Sequence, residues 1–150
     1  MNESLTYEKK ILPKYFKIDV VIPPVGKGRP RFTRSGHTYT PKKTKDAERE
    51  IADMWKAGYP NVRFEKGVPL MLCVKACFPI PLSWGKQKVI AAMKGELWPT
   101  KRPDGDNVLK LVADALNGVA YEDDSQIVYM TIKKEYASLG FLRIRIEEYK

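Results

Sequence analysis

Apolar and polar residues alternate over residues 16–22, Phe-Lys-Ile-Asp-Val-Val-Ile, a period-two pattern that predicts a strand stopped by Pro23 and Pro24. In residues 25–40, Ser35-Gly36 lies between two runs bearing Thr and aromatic residues, which predicts a hairpin or extended loop. Pro41 then opens a helix over 42–58, where Ala47, Ile51, Met54 and Trp55 keep helical spacing and Gly58 and Pro60 mark the end. Residues 69–78, rich in Val, Leu and Cys, predict a central strand closed by Pro79 and Pro81. Ser83 is placed to cap a second helix running through Lys94 and ended by Gly95. The segment 96–103 has no periodicity and contains Pro99 and Pro103, so it reads as an exposed loop. A third helix is predicted over 106–117, with Val108, Leu111, Val112, Ala115 and Leu116 on one face and Gly118 supplying the left-handed residue at its C-terminus. Residues 127–136 and 141–149 alternate as two strands of an antiparallel pair, turned at 138–140.

This order of elements predicts an α+β fold, a mixed and mostly antiparallel sheet with packed helices. A chain of 150 residues suits a single domain, 1–150, with one active site. Its 43% hydrophobic and 30% charged residues are those of a globular protein. The apolar run 68–78 is broken by Lys75 and too short to span a bilayer, and the N-terminus lacks an apolar signal core, so a cytoplasmic location with no membrane partner is expected. Cys73 and Cys77, four apart in a strand, would sit roughly 13 Å apart on one face, which predicts two buried free thiols and no zinc quartet.

Charge sharpens the picture. The net charge of +9 and the pI near 9.5 favour a polyanionic partner. Residues 104–124 run against that trend: six acids against Lys110 alone give the window −5, leaving +14 on the remaining 129 residues. A basic shell around one acidic pocket suits an enzyme that attracts a phosphate backbone and holds a divalent cation beside it. The alternative is a set of acids on one solvated helix.

Within that window Pro103 keeps Arg102 extended, so Asp104 leaves the loop as Asp106 enters or caps the helix, and the two carboxylates can converge. Lys110 and Asp114 follow at one-turn intervals, which also fits an N-cap with an i,i+4 ion-pair ladder worth ~0.2–0.5 kcal/mol per pair. Glu122-Asp123-Asp124 weighs against that plain reading, because a twelve-residue helix turning at Asn117-Gly118 returns the chain alongside itself, and gathered carboxylates repel unless protons or a cation compensate them. Oxygen-rich ligands without thiolate suit Mg²⁺, with Mn²⁺ as a substitute, and Lys110 would add a cation for a charged phosphorus centre.

An EF-hand fails, since Leu109 occupies the turn-glycine position and Ala115 the final ligand position. Neither Gly26-Lys27-Gly28 nor Gly85-Lys86-Gln87 completes a nucleotide-binding Gly-Lys-Ser/Thr loop, so no nucleotide cofactor is expected. Lys27, Arg29, Arg31 and Arg34, with Phe32 and Tyr39 interleaved, suit a nucleic-acid backbone clamp, and Lys101 and Arg102 would hold a phosphate beside the acids. A solvated basic loop is the competing reading. Trp55, Trp84 and Trp98 read as core or interface residues, and His37 as structural.

The run from Asp104-Gly-Asp-Asn through Lys110, Asp114-Ala-Leu and Asp123-Asp124 to Gln126 and Ile127 resembles the RusA family of Holliday junction resolvases. The likeness extends more weakly to the strand ending Ile22-Pro23-Pro24 and to Arg31-Phe32. It implies a RusA-like fold and a Mg²⁺-dependent endonuclease that cuts four-way DNA junctions as a homodimer, by hydrolysis leaving a 5′-phosphate and a 3′-hydroxyl. By position it implies that Asp104, Asp106 and Asp124 are metal-binding catalytic acids, with Asp123 adjacent and Lys110 an electrostatic helper. Gly105 departs from the apolar residue usual between the two acids, which predicts a looser turn. A bacterial or prophage origin is implied too. The alternatives are a non-catalytic basic DNA-binding protein, and a flap or fork nuclease of the same chemistry.

Overall fold

In the computed structural model, which describes residues 15–150, the first strand is β1 (Tyr15–Val20). The expectation of no N-terminal signal core concerns residues 1–14, outside that range. Two short strands, β2 (Arg31–Phe32) and β3 (Thr38–Tyr39), form the expected hairpin around Ser35-Gly36. There follow α1 (Lys42–Gly58), β4 (Leu70–Pro79), α2 (Lys86–Met93), α3 (Gly105–Leu116), a 3-10 turn (Asp124–Gln126), β5 (Ile127–Ala137) and β6 (Phe141–Glu148).

The long strands make one mixed sheet in the order β1-β6-β4-β5. β6 runs antiparallel to both β1 and β4, and β4 runs parallel to β5. This corrects the expected β5–β6 pair, because β4 lies between them. Leu142, Ile144 and Ile146 of β6 are fully buried, as a strand with neighbours on both sides requires, whereas β5 exposes Val128, Tyr129 and Met130 and takes the edge. The short link from β5 to β6 must therefore cross the end of β4. Gly140 makes that crossing: a Cβ there would stand 3.1 Å from Pro79 Cδ and 3.1 Å from Pro23 Cα, so any larger residue would crowd both prolines. The parallel β4–β5 pairing needs a crossover, and α2 and α3 lie within it.

Alternate residues of the sheet face α1 and α3. Ile51 and Trp55 of α1 and Val108, Leu111, Val112 and Leu116 of α3 close over Leu70, Leu72, Ile144 and Ile146, all at 0–1% exposure. Each such side chain contributes about 1.5–3 kcal/mol by leaving water. Phe16, Trp55, Tyr59 and Phe64 add an aromatic cluster at one end, Phe16 meeting the other three edge-on, and the Tyr59 hydroxyl donates to Lys17 O at 2.9 Å. The expected α1 spacing is corrected at two positions: Met54 is 40% exposed, and Thr44 is buried, its Oγ1 accepting from Gly28 N at 3.1 Å. Ser83 caps nothing, because α2 begins later, with Gly85 at its N-cap.

The other sheet face carries no helix. There Lys17, Lys75, Lys133, Arg143 and Arg145 stand beside Cys73, which is consequently half-buried rather than buried, while Cys77 is enclosed; both are free thiols. Among the described residues no helix is long and apolar enough to cross a membrane.

Candidate active site

Helix α3 and the turn after it position the acids. Asp104 is the α3 N-cap residue, extended in backbone, and its side chain makes no capping hydrogen bond. Its carboxylate is therefore not consumed by the helix it precedes. Asp106 sits in the first turn and is exposed, as is Lys110 one turn on. Asp114 follows one turn later, about 12 Å along the axis from Asp106. The ion-pair ladder that a structural role would require does not form: among the described residues Lys110 makes no salt bridge, and Asp114 is paired elsewhere.

The partner of Asp114 is Lys27. Its Nζ lies 3.1 Å from Asp114 Oδ2 and 2.5 Å from Glu48 Oε1 of α1. Its backbone N–H donates to Asn107 O at 2.9 Å, which fixes the loop after β1 against the first turn of α3. Burial pulls the Lys27 pKa down, but hydrogen bonds to Glu48 and Asp114 outweigh that and raise it. Lys27 was expected to grip a backbone phosphate. It lines the same cleft as Arg29 and Arg31 and is at the same time a counter-charge to the two carboxylates within its reach.

After α3 the chain doubles back at Gly118, whose φ of +76° is the left-handed conformation expected there. Tyr121, 0% exposed, donates its hydroxyl to Ala113 O at 2.5 Å, satisfying a carbonyl of the last helical turn. Asp123 and Asp124 follow, and Gln126 anchors them. It is buried, donates through Nε2 to Glu65 O at 2.8 Å and Val68 O at 3.1 Å, and accepts from Asp123 N at 3.2 Å. Ser125 Oγ donates to Asp123 Oδ2 at 2.6 Å, which holds the Asp123 carboxyl below the usual range. Burial, with the adjacent carboxylates of Asp123 and Asp114, pushes Asp124 above it. Burial and the same acids raise the Tyr121 pKa, so its phenol stays protonated.

The acids Asp114, Asp123 and Asp124 are thus neighbours around Tyr121. Among the described residues no three carboxylate, thiol or imidazole groups come close enough to enclose an ion, so the expected set of Asp104, Asp106, Asp123 and Asp124 is not drawn together at liganding distance. Like charges repel, and Asp123 and Asp114 turn to Ser125 and Lys27 instead. The donor chemistry, carboxylate oxygens with no thiolate or imidazole, fits a hard divalent cation.

Beside Asp104 opens a cleft of about 850 Å³. Lys27, Arg29, Arg31, Lys43, Arg102 and Asn107 line it together with Asp104. Arg29, Arg31 and Arg102 are thereby brought together as expected, Arg34 is exposed near the hairpin tip, and Lys101 points elsewhere, 5.8 Å from the Phe78 ring and 5.9 Å from that of Tyr136. Gly105 does not loosen the turn: a Cβ there would lie 3.2 Å from Ile132 Cγ2, so the glycine lets α3 approach β5 closely. Sequence reading assigned no role to Glu48, Tyr121 or Gln126. Only Gln126 carried a signal, its place after the paired acids.

The chain is similar to known proteins over most of its length. Residues 22–147 match the family model described as endodeoxyribonuclease RusA. A Bacillus subtilis (strain 168) protein, YqaN, itself uncharacterised, is 36% identical over 137 residues, 88% of this chain and 95% of its own. A Lactococcus phage r1t protein described as crossover junction endodeoxyribonuclease rusA is 38% identical over 90 residues, 59% of this chain and 62% of its own.

Proposed function

Because the chain belongs to the RusA endodeoxyribonuclease family, we propose that it hydrolyses phosphodiesters at four-way DNA junctions, with Mg²⁺ or Mn²⁺, as a homodimer making paired cuts. The observation that carries the reading is the link from the acids to the cleft: Asp114, a neighbour of Asp124, pairs with Lys27, which lines the arginine-bearing cleft that opens at Asp104. An acidic cluster in a protein of charge +9 has little use in simple DNA binding, where it would repel the backbone. The phage relative's description supports the junction as substrate.

Asp104, Asp106 and Asp124, with Asp123 adjacent, would hold the cation. When bound, such an ion supplies an activated water and charge stabilisation for the phosphate oxygens. The chain's own residues do the rest. Arg29, Arg31 and Arg102 neutralise and orient the backbone phosphates entering the cleft. Lys110, exposed on α3 and without an ion-pair partner among the described residues, offers its charge to the phosphate as negative charge grows. Lys27 keeps Asp114 neutralised and ties the arginine loop to α3, and Gln126 fixes the Asp123-Asp124 turn. Exposed Val128, Tyr129 and Met130 along the free edge of β5, with Tyr149 stacked on Tyr129 at 5.5 Å, support a two-fold contact between copies. The bacterial and phage relatives favour a bacterial or prophage setting, in the cytoplasm where such DNA lies.

The test is incubation of an end-labelled four-way junction with protein and Mg²⁺, mapping cuts on all four strands, beside flap, fork and duplex substrates. Paired cuts on two opposed strands, lost in EDTA, are expected. Cleavage confined to flaps or forks would reassign the substrate.

A further inference from the structure

A second basic surface flanks the N-terminus of α3 on its β5 side, away from the arginine residues of the cleft. It starts from the close approach of Gly105 to Ile132, and the loop 96–103 meets β5 there through Lys101. Lys134 donates to Lys101 O at 2.6 Å and stands 5.2 Å from the Phe78 ring centre, so Lys101 and Lys134 share one aromatic support. Lys88 stands 4.1 Å over Trp84, whose ring meets Tyr136 edge-on at 5.1 Å, so that indole is occupied on both sides.

Trp98 differs. It is 52% exposed, and its described aromatic contact is with the Lys133 ammonium alone, 5.6 Å from the ring centre, with Glu135 3.8 Å from the same ammonium. A half-exposed indole with a cation against its ring, on a polyanion-attracting surface three residues from Lys101, has the composition of a base-stacking platform. Duplex DNA has no free base face to offer it. A branch point does, wherever pairs part or an end is unstacked.

On the basis of the junction reading above, we propose that Trp98 stacks on a base exposed at the branch point, while Lys101 and Lys134 hold the flanking phosphates. Trp98 is then a selectivity residue for branched over linear DNA, separate from the acids that carry out hydrolysis.

The experiment compares wild type, Trp98→Ala and Trp98→Phe in EDTA, so that nothing is cut. The probes are a four-way junction carrying 2-aminopurine at the branch and a linear duplex of the same sequence. Wild type should bind the junction more tightly and change the 2-aminopurine fluorescence. Trp98→Ala should lose junction affinity roughly tenfold and lose the fluorescence change, with duplex affinity unaltered, and Trp98→Phe should restore much of both. Equal losses on junction and duplex, or no loss on either, would overturn the stacking role while leaving the junction reading intact. A wild type that binds junction and duplex alike would overturn that reading and this proposal together. Circular dichroism of each variant separates a binding defect from misfolding, and Trp98→Phe, which keeps an aromatic ring, tests the idea even where the alanine variant is damaged.

Discussion

Asp124 carries the sharpest electrostatic consequence of any single residue. Its carboxyl is raised by burial and by Asp123 and Asp114, so the native state binds this proton at higher pH than the unfolded chain does. The stability linked to that proton is fully present below the unfolded pKa, near 3.8, and is lost as pH rises through the raised native value. Asp124→Asn carries no such charge at any pH. In EDTA its thermal midpoint should therefore match wild type at about pH 3.5 and exceed it at pH 7, the gap opening across the acidic range; calorimetry at both pH values checks the sign. A variant less stable than wild type at pH 7 would mean that the Asp124 charge is welcome in the fold. At this scale the candidate acids were legible in the sequence because they crowd into one window, and their neighbours were not. Lys27 meets Glu48 and Asp114 from a distant loop, and nothing in their spacing predicts the contact. The basic character of residues 27–34 suggested one role for the whole run, whereas Lys27, in the same cleft as Arg29 and Arg31, also pairs with Glu48 and Asp114.

Helix α3 shows how far periodicity carries at the scale of an element. Its apolar stripe, its start near Asp104 and its end at Gly118 all follow from spacing and from residues that cap or turn. Strand pairing does not follow in the same way, because alternation states which face of a strand is buried and says nothing about its neighbour. That is why β5 and β6, adjacent in sequence and well patterned, were expected to pair although β4 separates them. The residue that resolves the topology is Gly140, lodged between Pro23 and Pro79 where the link crosses β4. Gly140→Ala places a methyl 3.1 Å from a backbone carbon and from a proline ring, neither of which is a flexible side-chain end. It should cost about 1–3 kcal/mol, read as a lower urea midpoint with an unchanged slope. Ser138→Ala, on the same link but exposed, should cost less than about 0.5 kcal/mol. Equal and small effects would remove the steric account of the crossing.

For the molecule as a whole, the question is whether the acids of α3 and the turn after it exist for chemistry or for the fold. Three features favour chemistry: Asp104 caps no hydrogen bond, Lys110 completes no ladder among the described residues, and Asp124 sits where its charge is disfavoured. The arginines of the loop after β1 share a cleft with Asp104, where they would attract a backbone phosphate. The most direct test is a paired measurement on Asp106→Asn, which removes a charge and nearly keeps the shape. Cleavage of a labelled four-way junction in Mg²⁺ and thermal unfolding in EDTA are read on the same preparation. The account predicts cleavage reduced by about a hundredfold or more, with unfolding unchanged or raised and junction binding equal or tighter. A well-folded Asp106→Asn protein that cuts at nearly the wild-type rate would contradict it.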